Sequence, residues 1–387
     1  MTEAAGDLEQ YRAEAREWLA AVDAPKSTED YLEHLRGLRN WHRALYEGGW
    51  VGIQWPKRFG GQGLTIRHKL IFEEELGRAR LPQPSTSIGL DVVGPTILRY
   101  GTDAQRERFI PPLLAGDELW GQGFSEPDAG SDLASLRTRA VRDGDELVIS
   151  GQKIWTSWAS DADWCAVLAR TDPSLERHRG ISYLLVEMDS PGLTVRPIIH
   201  MNGDAEFNEI FFDDVRIPVD NVLGNFEEGW KLAMDTLGHE RSTFVLRRAV
   251  ENRASFMDIV DGLRDYLDGV SAEADVAAHL GRVYVELRTM EAQTRATARR
   301  VGAGDVPTAL DSVDKLSLSE TEQSVYELAV ECLGSERMVV GGRTKGLDAD
   351  RWTPGLMYAR SASVYGGTSQ IQKSIIAERA LGLPKGR

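Results

Sequence analysis

Four stretches of the chain carry residues whose types and spacing could do chemistry. The first is Tyr365-Gly366-Gly367-Thr368-Ser369-Gln370-Ile371-Gln372. Its glycines let backbone approach a ligand closely and adopt angles that other residues avoid. Thr368 or Ser369 could cap the helix that follows, and free N–H groups at such a start favour an anionic or polar ligand. Taken alone, the same residues also describe an ordinary turn and cap. The second stretch is Phe124-Ser125-Glu126-Pro127-Asp128-Ala129-Gly130-Ser131-Asp132, and the third is Lys153-Ile154-Trp155-Thr156-Ser157. In an extended segment Trp155 and Ser157 share a face. An indole beside a hydroxyl suits a planar heteroaromatic ring, stacked on one and hydrogen-bonded at its edge by the other. A core tryptophan next to a surface serine would read the same way. The fourth stretch is Leu237-Gly238-His239-Glu240-Arg241. Ala233, Leu237, Glu240 and Phe244 recur at helical spacing, which sets Glu240 on an apolar seam with Arg241 beside it. A charged pair on such a seam is costly unless it has partners or work. Partial burial would lift the carboxyl pKa toward a value useful to a base, and the arginine would oppose that lift. A salt-bridged pair on a helix margin is the plainer alternative.

Three successive units must position these stretches. Residues 1–118 read as helices, over Leu8–Val22, Leu32–Glu47, Ile66–Ala79, Ser85–Tyr100 and Asp103–Leu114. Near Trp120 the period changes to two, with strands expected at Glu146–Ser150, Trp164–Ala169, Ile181–Met188, Leu193–Ile198 and Glu209–Asp213. From residue 227 the helical period returns, over Glu227–Arg264, Ala272–Val301, Thr308–Cys332 and Gln370–Leu381. The expected fold class is α+β, in three units: helical 1–118, β 119–226 and helical 227–387.

The totals narrow the function. A formal charge of −15 over 387 residues argues against nucleic acid and against an anionic membrane surface. Cys165 and Cys332 are the only cysteines, and the seven histidines show no metal-ligand spacing, so neither a disulfide framework nor a metal site is expected. No apolar run approaches membrane-spanning length and Met1–Leu8 lacks a signal-peptide profile, which reads as a soluble, cytoplasmic protein.

Ser-Glu-Pro-x-Ala-Gly-Ser-Asp, then Trp-x-Ser, then Tyr-Gly-Gly-Thr-Ser-Gln-Ile-Gln, in an α–β–α chain of this length, resembles the acyl-CoA dehydrogenase family. The resemblance runs from Trp55-Pro56 to the final helix. It implies a middle β-barrel or sandwich, a C-terminal four-helix bundle, and FAD held between them with a thioester on the flavin's other face. By position, Phe124 and Ser125 would meet the pyrimidine side of the ring. Trp155 would pack beside the ring, Ser157 would lie near flavin N5, and Thr368 and Gln370 would meet the cofactor from the last loop. Ser131 falls where relatives contact the CoA arm.

The implied reaction is α,β-dehydrogenation, in which a base takes the α-proton and the β-hydride goes to flavin N5. Many relatives carry the base directly after the tyrosine of the last loop, where this chain has Gly366. Isovaleryl and long-chain branches carry instead a Glu-Arg pair on the first helix after the β unit. That arrangement implies Glu240 as base and Arg241 as an aid to substrate positioning. The room left at Gly366 suits a branched, long or ring-bearing acyl group, steroid side chains included. The thioester could be carried by CoA or by an acyl carrier protein, and an electron-transfer flavoprotein is the implied electron acceptor.

The resemblance breaks where homotetrameric relatives reach a neighbour's FAD. Their Arg-x-x-Phe-Gly turn is replaced by Leu263-Arg264-Asp265-Tyr266-Leu267-Asp268-Gly269-Val270. Their Gly-Gly-x-Gly turn is replaced by Cys332-Leu333-Gly334-Ser335-Glu336, with Gly341-Gly342 displaced. Either a divergent homo-oligomer or a hetero-oligomer of unlike chains accommodates this, with a tetramer the expected state in both cases. A flavin oxidase or monooxygenase on the same fold, and a structural subunit of a mixed complex, are the competing functions.

Overall fold

The computed structural model describes residues 5–25, 31–84, 87–269, 274–302, 308–334, 341–344 and 346–385. Within helices it leaves out the side chains at positions 5, 31, 32, 239–244, 246, 265–269, 274, 301 and 302. The N-terminal unit is built from α1 (Ala5–Ala21), α2 (Tyr31–Glu47), α3 (Ile66–Arg78), α4 (Gly94–Tyr100) and α5 (Asp103–Ala115). Local chemistry sets the ends of α5. Thr102 and Gln105 form a reciprocal capping box at its start, and Gly116, at φ 77°, closes it in the left-handed region. Sequence periodicity predicts one helix over 85–100. The structure instead winds Gly89–Val93 as a π turn that leads into α4. Such a turn inserts an extra residue into the helix and is frequent at functional sites.

The β unit is one sheet in the order β6-β7-β3-β2-β4-β5-β8, with β1 parallel to β4. Its strands are β1 (Trp120–Gly123), β2 (Arg139–Asp143), β3 (Glu146–Ser157), β4 (Trp164–Arg170), β5 (Ile181–Glu187), β6 (Leu193–Ile198), β7 (Phe207–Pro218) and β8 (Val222–Leu223). β2 and β4 touch only at Arg139 and Arg170, so the sheet folds there into two halves. Ala140, Leu147, Ile149, Ile210 and Phe212 from one half share a core with Cys165, Val167, Leu184 and Val186 from the other. The alternate faces of β4 and β5 are buried too: Ala166, Leu168, Tyr183 and Leu185 pack with the N-terminal helices. Burial on both faces is why these two strands read as unbroken apolar runs rather than alternating ones.

The C-terminal unit packs α6 (Gly229–Gly269), α7 (Ala274–Gly302), α8 (Asp311–Leu333) and α9 (Ala349–Ala359) together, with α10 (Ser369–Ile375) after the last loop. A hairpin of β9 (Arg343–Thr344) and β10 (Leu347–Asp348) precedes α9. Helix α6 belongs to two cores. Leu232 and Ala233 join the core of the N-terminal and β units, whereas Val245, Ala249, Phe256, Ile259 and Leu263 join the bundle core at helical spacing. One rigid helix therefore spans all three units. It crosses α3 closely: a Cβ on Gly77 would stand 2.2 Å from a methyl of Val250.

Candidate active site

Strand β3 does not stay extended through Trp155. The pairing moves from Lys153 opposite Ile210 to Thr156 opposite Asn208, so β3 carries one extra residue there. Trp155 sits in this bulge at φ 63°, a left-handed conformation that is a genuine outlier for a bulky side chain. The expectation of a plain extended segment is corrected accordingly. The bulge, and not simple alternation, leaves Trp155 57% exposed and Ser157 half-buried while Thr156 between them is fully buried. The Thr156 hydroxyl is buried without a hydrogen-bond partner. Trp158 is left-handed as well, at φ 58°. Backbone strain of this kind persists only where surrounding structure over-determines it, and it concentrates at functional sites.

The surrounding structure is a buried ion pair. Lys153, fully buried on β3, donates its Nζ to Glu126 Oε1 at 2.8 Å and to the Phe124 carbonyl at 3.1 Å. Glu126 also accepts the backbone N–H of Arg137 at 2.7 Å and of Thr138 at 2.9 Å. Burial pushes the Lys153 ammonium down to about 8, and the lysine beside it, with those N–H donors, holds the Glu126 carboxyl below its usual range. The Ile154 N–H then bonds the Ser125 carbonyl at 3.0 Å. Ser125 is thus fixed one residue from Trp155. Phe124 is different: its ring is buried against Tyr183, at 5.7 Å between centroids, so that position can address a ligand only through its backbone. Ser131 lies exposed on the loop beyond, beside an Asp132–Arg177 ion pair of 2.9 Å.

The last loop reaches the same region through α9. Trp155 meets Phe207 edge-on at 6.2 Å, and Phe207 stacks on Tyr358 of α9 at 6.5 Å. Tyr358 donates to Glu206, whose carboxyl is raised by burial. Downstream, Gly366 and Gly367 are left-handed at φ 61° and 90°, and Gln372 donates to both of their carbonyls, at 2.9 and 3.3 Å. Of the two candidate caps, Thr368 is the one used, accepting from Ile371 N–H at 3.2 Å. Gln370 is exposed. Sequence reasoning missed Glu126, Lys153, Phe207, Tyr358, Glu206 and Gln372 as positioning residues. A lysine within a strand and a glutamate within the Ser-Glu-Pro stretch were the signals available for the first two.

Positions 240 and 241 lie in the fourth turn of α6, and their side chains fall outside the described residues. Leu237, on the seam predicted for Glu240, packs partly buried against the core shared by the helical and β units. Of the substituted turns, Ser335 and Glu336 fall outside the described residues, and Gly341 and Gly342 are left-handed ahead of the β9–β10 hairpin. Among the described residues there is no cluster of three metal-binding side chains, and no helix is long and apolar enough to cross a membrane.

These features fit a flat heterocycle. An open indole is held at a strained bulge, a half-buried hydroxyl stands two residues on, and the helix that leads into the glycine turn joins them through the Phe207–Tyr358 contact. Residues 6–117, 121–215 and 227–381 match the family descriptions "Acyl-CoA dehydrogenase" N-terminal, middle and C-terminal domain, respectively. The acyl-CoA dehydrogenase IpdE1 of Mycobacterium tuberculosis is 38% identical over 393 residues, covering 98% of both chains. Among solved structures, the Tcur3481-Tcur3483 steroid ACAD superimposes with a TM-score of 0.85 at 31% identity. The ChsE4-ChsE5 complex from Mycobacterium tuberculosis does so with a TM-score of 0.84 at 32% identity, and both cover all of each chain. The chain belongs to the acyl-CoA dehydrogenase family, oxidoreductases that act on the CH–CH bond of an acyl-CoA thioester.

Proposed function

We propose that this chain dehydrogenates a bulky, ring-bearing or branched acyl-CoA across its α,β bond, with FAD as cofactor and Glu240 as the base. The observation that carries the reading is the strained bulge that keeps Trp155 open beside Ser157 and one hydrogen bond from Ser125. FAD, when bound, supplies the hydride acceptor. Ser125 and the Phe124 backbone would bond the pyrimidine edge of its ring, Trp155 would pack beside the ring, and Ser157 would lie near N5. Thr368 and Gln370 would meet the cofactor from the last loop.

The remaining work is proton chemistry. An α-proton is weakly acidic, so its loss needs a carboxylate against it and hydrogen bonds on the thioester carbonyl. Gly366 leaves no carboxylate after Tyr365, and Glu240 is a carboxylate followed by arginine on the helix that joins all three units. Arg241 beside it would hold the substrate, and Ser131 on its open loop would touch the CoA arm. An electron-transfer flavoprotein is the proposed acceptor. The likeness to a steroid ACAD and to two-chain complexes supports a steroid-derived acyl group and a hetero-oligomer.

The test is Glu240→Gln. Its expected effect is a fall in kcat of at least about 100-fold, the usual scale for a lost general base, with the flavin content unchanged. Retained turnover in that variant would remove Glu240 from the mechanism. Reoxidation of the reduced flavin by oxygen, faster than by a dehydrogenase acceptor, would replace the dehydrogenase reading with an oxidase.

A further inference from the structure

A cavity opens between the N-terminal unit and α6, walled by Trp50, Trp55, Phe72 and Leu90 on its apolar side. The other side is charged. Asp91, projected by the π turn, accepts from Lys69 of α3 at 2.8 Å and from Arg247 of α6 at 2.7 Å. Arg247 also faces Glu251 at 3.8 Å, so these cations already have anionic partners. Three polar atoms of residues that line the cavity do not: Glu73 Oε2, Gln83 Oε1 and Trp50 Nε1 are buried without a hydrogen-bond partner. A hydrocarbon tail filling the cavity would leave all three unsatisfied, which burial penalises.

The cavity also lies along the helix that carries the proposed base. Positions 240 and 247 are seven residues apart, so they share one face of α6 and stand about 10 Å apart along its axis. An acyl group whose α-carbon meets position 240 and which runs along that face ends at Arg247. Resting on the dehydrogenase reading above, we infer that the acyl group carries a neutral oxygen function, a ketone or hydroxyl, remote from the thioester and bound by Glu73, Gln83 and Trp50. Trp50 Nε1 can only donate and Gln83 Oε1 can only accept, which a ketone and a hydroxyl respectively complement. Burial raises the Glu73 carboxyl toward its protonated form, in which it donates to a ketone as well. A carboxylate on the ligand is disfavoured, because the cations it would need are already matched.

The experiment compares octanoyl-CoA, 7-oxo-octanoyl-CoA and the carboxylate-ended suberyl-CoA with the purified holoenzyme. Cyclohexanecarbonyl-CoA and its 4-oxo derivative serve as a shorter pair. Turnover and calorimetric Kd are both read. The expected result is a preference of about tenfold or more in kcat/KM and Kd for one of the keto thioesters over its hydrocarbon parent, the scale of a site built around a hydrogen bond. Glu73→Leu should shrink that ratio to within about threefold, and Glu73→Gln should retain it, since the amide still bonds. A preference for octanoyl-CoA or suberyl-CoA, or a ratio indifferent to Glu73→Leu, overturns the inference. The two readings fail separately. A Glu73-dependent keto preference in Kd without turnover would sink the dehydrogenase reading alone. Glu240-dependent turnover with no keto preference would sink this inference alone.

Discussion

Lys153 and Glu126 show how single residues hold the site in shape. Neither touches the open face of Trp155, yet together they tie the Phe124–Ser125 segment to β3 directly before the bulge. A buried pair is weak as a source of stability, but breaking one side of it strands a charge. Glu126→Gln should therefore destabilise the fold by about 3–5 kcal/mol, and Lys153→Met by a similar amount. The double variant should recover most of that loss, because both charges leave together. Urea denaturation of the three variants checks this. Additive losses in the double variant would mean that the two residues act independently. Neither residue was legible as a partner of the other: 27 positions separate them, and only the meeting of the motif loop with β3 brings them together. Trp155 was legible by type but not by conformation, since nothing in Lys-Ile-Trp-Thr-Ser announces an inserted residue on one strand.

At the scale of elements, α2 is stapled to the end of α5 by one histidine. His42 on α2 bonds the Leu114 carbonyl at 3.0 Å, satisfying a helix-end acceptor. Gly116 must be glycine there: it is left-handed, and a Cβ would stand 2.6 Å from the His42 ring. Burial lowers the imidazole to about 4 from an ordinary value of 6.5. The unfolded chain therefore binds the extra proton first as pH falls. Stability is full above about pH 6.5 and is lost as pH drops toward about 4, by up to about 3 kcal/mol. His42→Gln should flatten the dependence of unfolding free energy on pH across that window. An unchanged slope would place the titrating group elsewhere. Helix positions were readable because amphipathic periodicity survives in α2, α3 and α7. The strands β1, β2 and β8 were missed because they are short and lack alternation, and α9 because Pro354 sits inside it. The π turn at Gly89–Val93 was invisible, since an inserted residue leaves composition and approximate period intact.

For the molecule as a whole, two of the most exposed apolar residues lie close to the proposed flavin face. Ile199 and Met201, 76% and 66% exposed, flank His200, whose ring stacks on Phe207 at 4.9 Å, next to Trp155. Such a patch marks an interaction surface more often than it marks idle surface. Combined with the substituted turns at 263–270 and 332–336, this favours a flavin site completed by another chain. The chain expressed and purified alone should carry well under one FAD per subunit, and co-expression with its partner chain should raise the ratio. Absorbance against subunit concentration measures it. Close to one FAD per subunit in the isolated chain would instead mean a self-sufficient homo-oligomer.

Residue type and order alone identified the three-part α–β–α plan, the family, and the positions of its motifs. Those properties reside in local periodicity and in short contiguous patterns, which need no knowledge of distant neighbours. Tertiary structure decided the rest. The bulge under Trp155 exists because β7 pairs with β3 in a register shifted by one residue. The Lys153–Glu126 tie exists because a loop closes over that strand. The charged cavity exists because α3, a π turn and α6 meet at one point, with Asp91 and Arg247 contributed from 156 positions apart. Each depends on packing between segments remote in the chain, and pairing of that kind leaves no mark on either segment read separately.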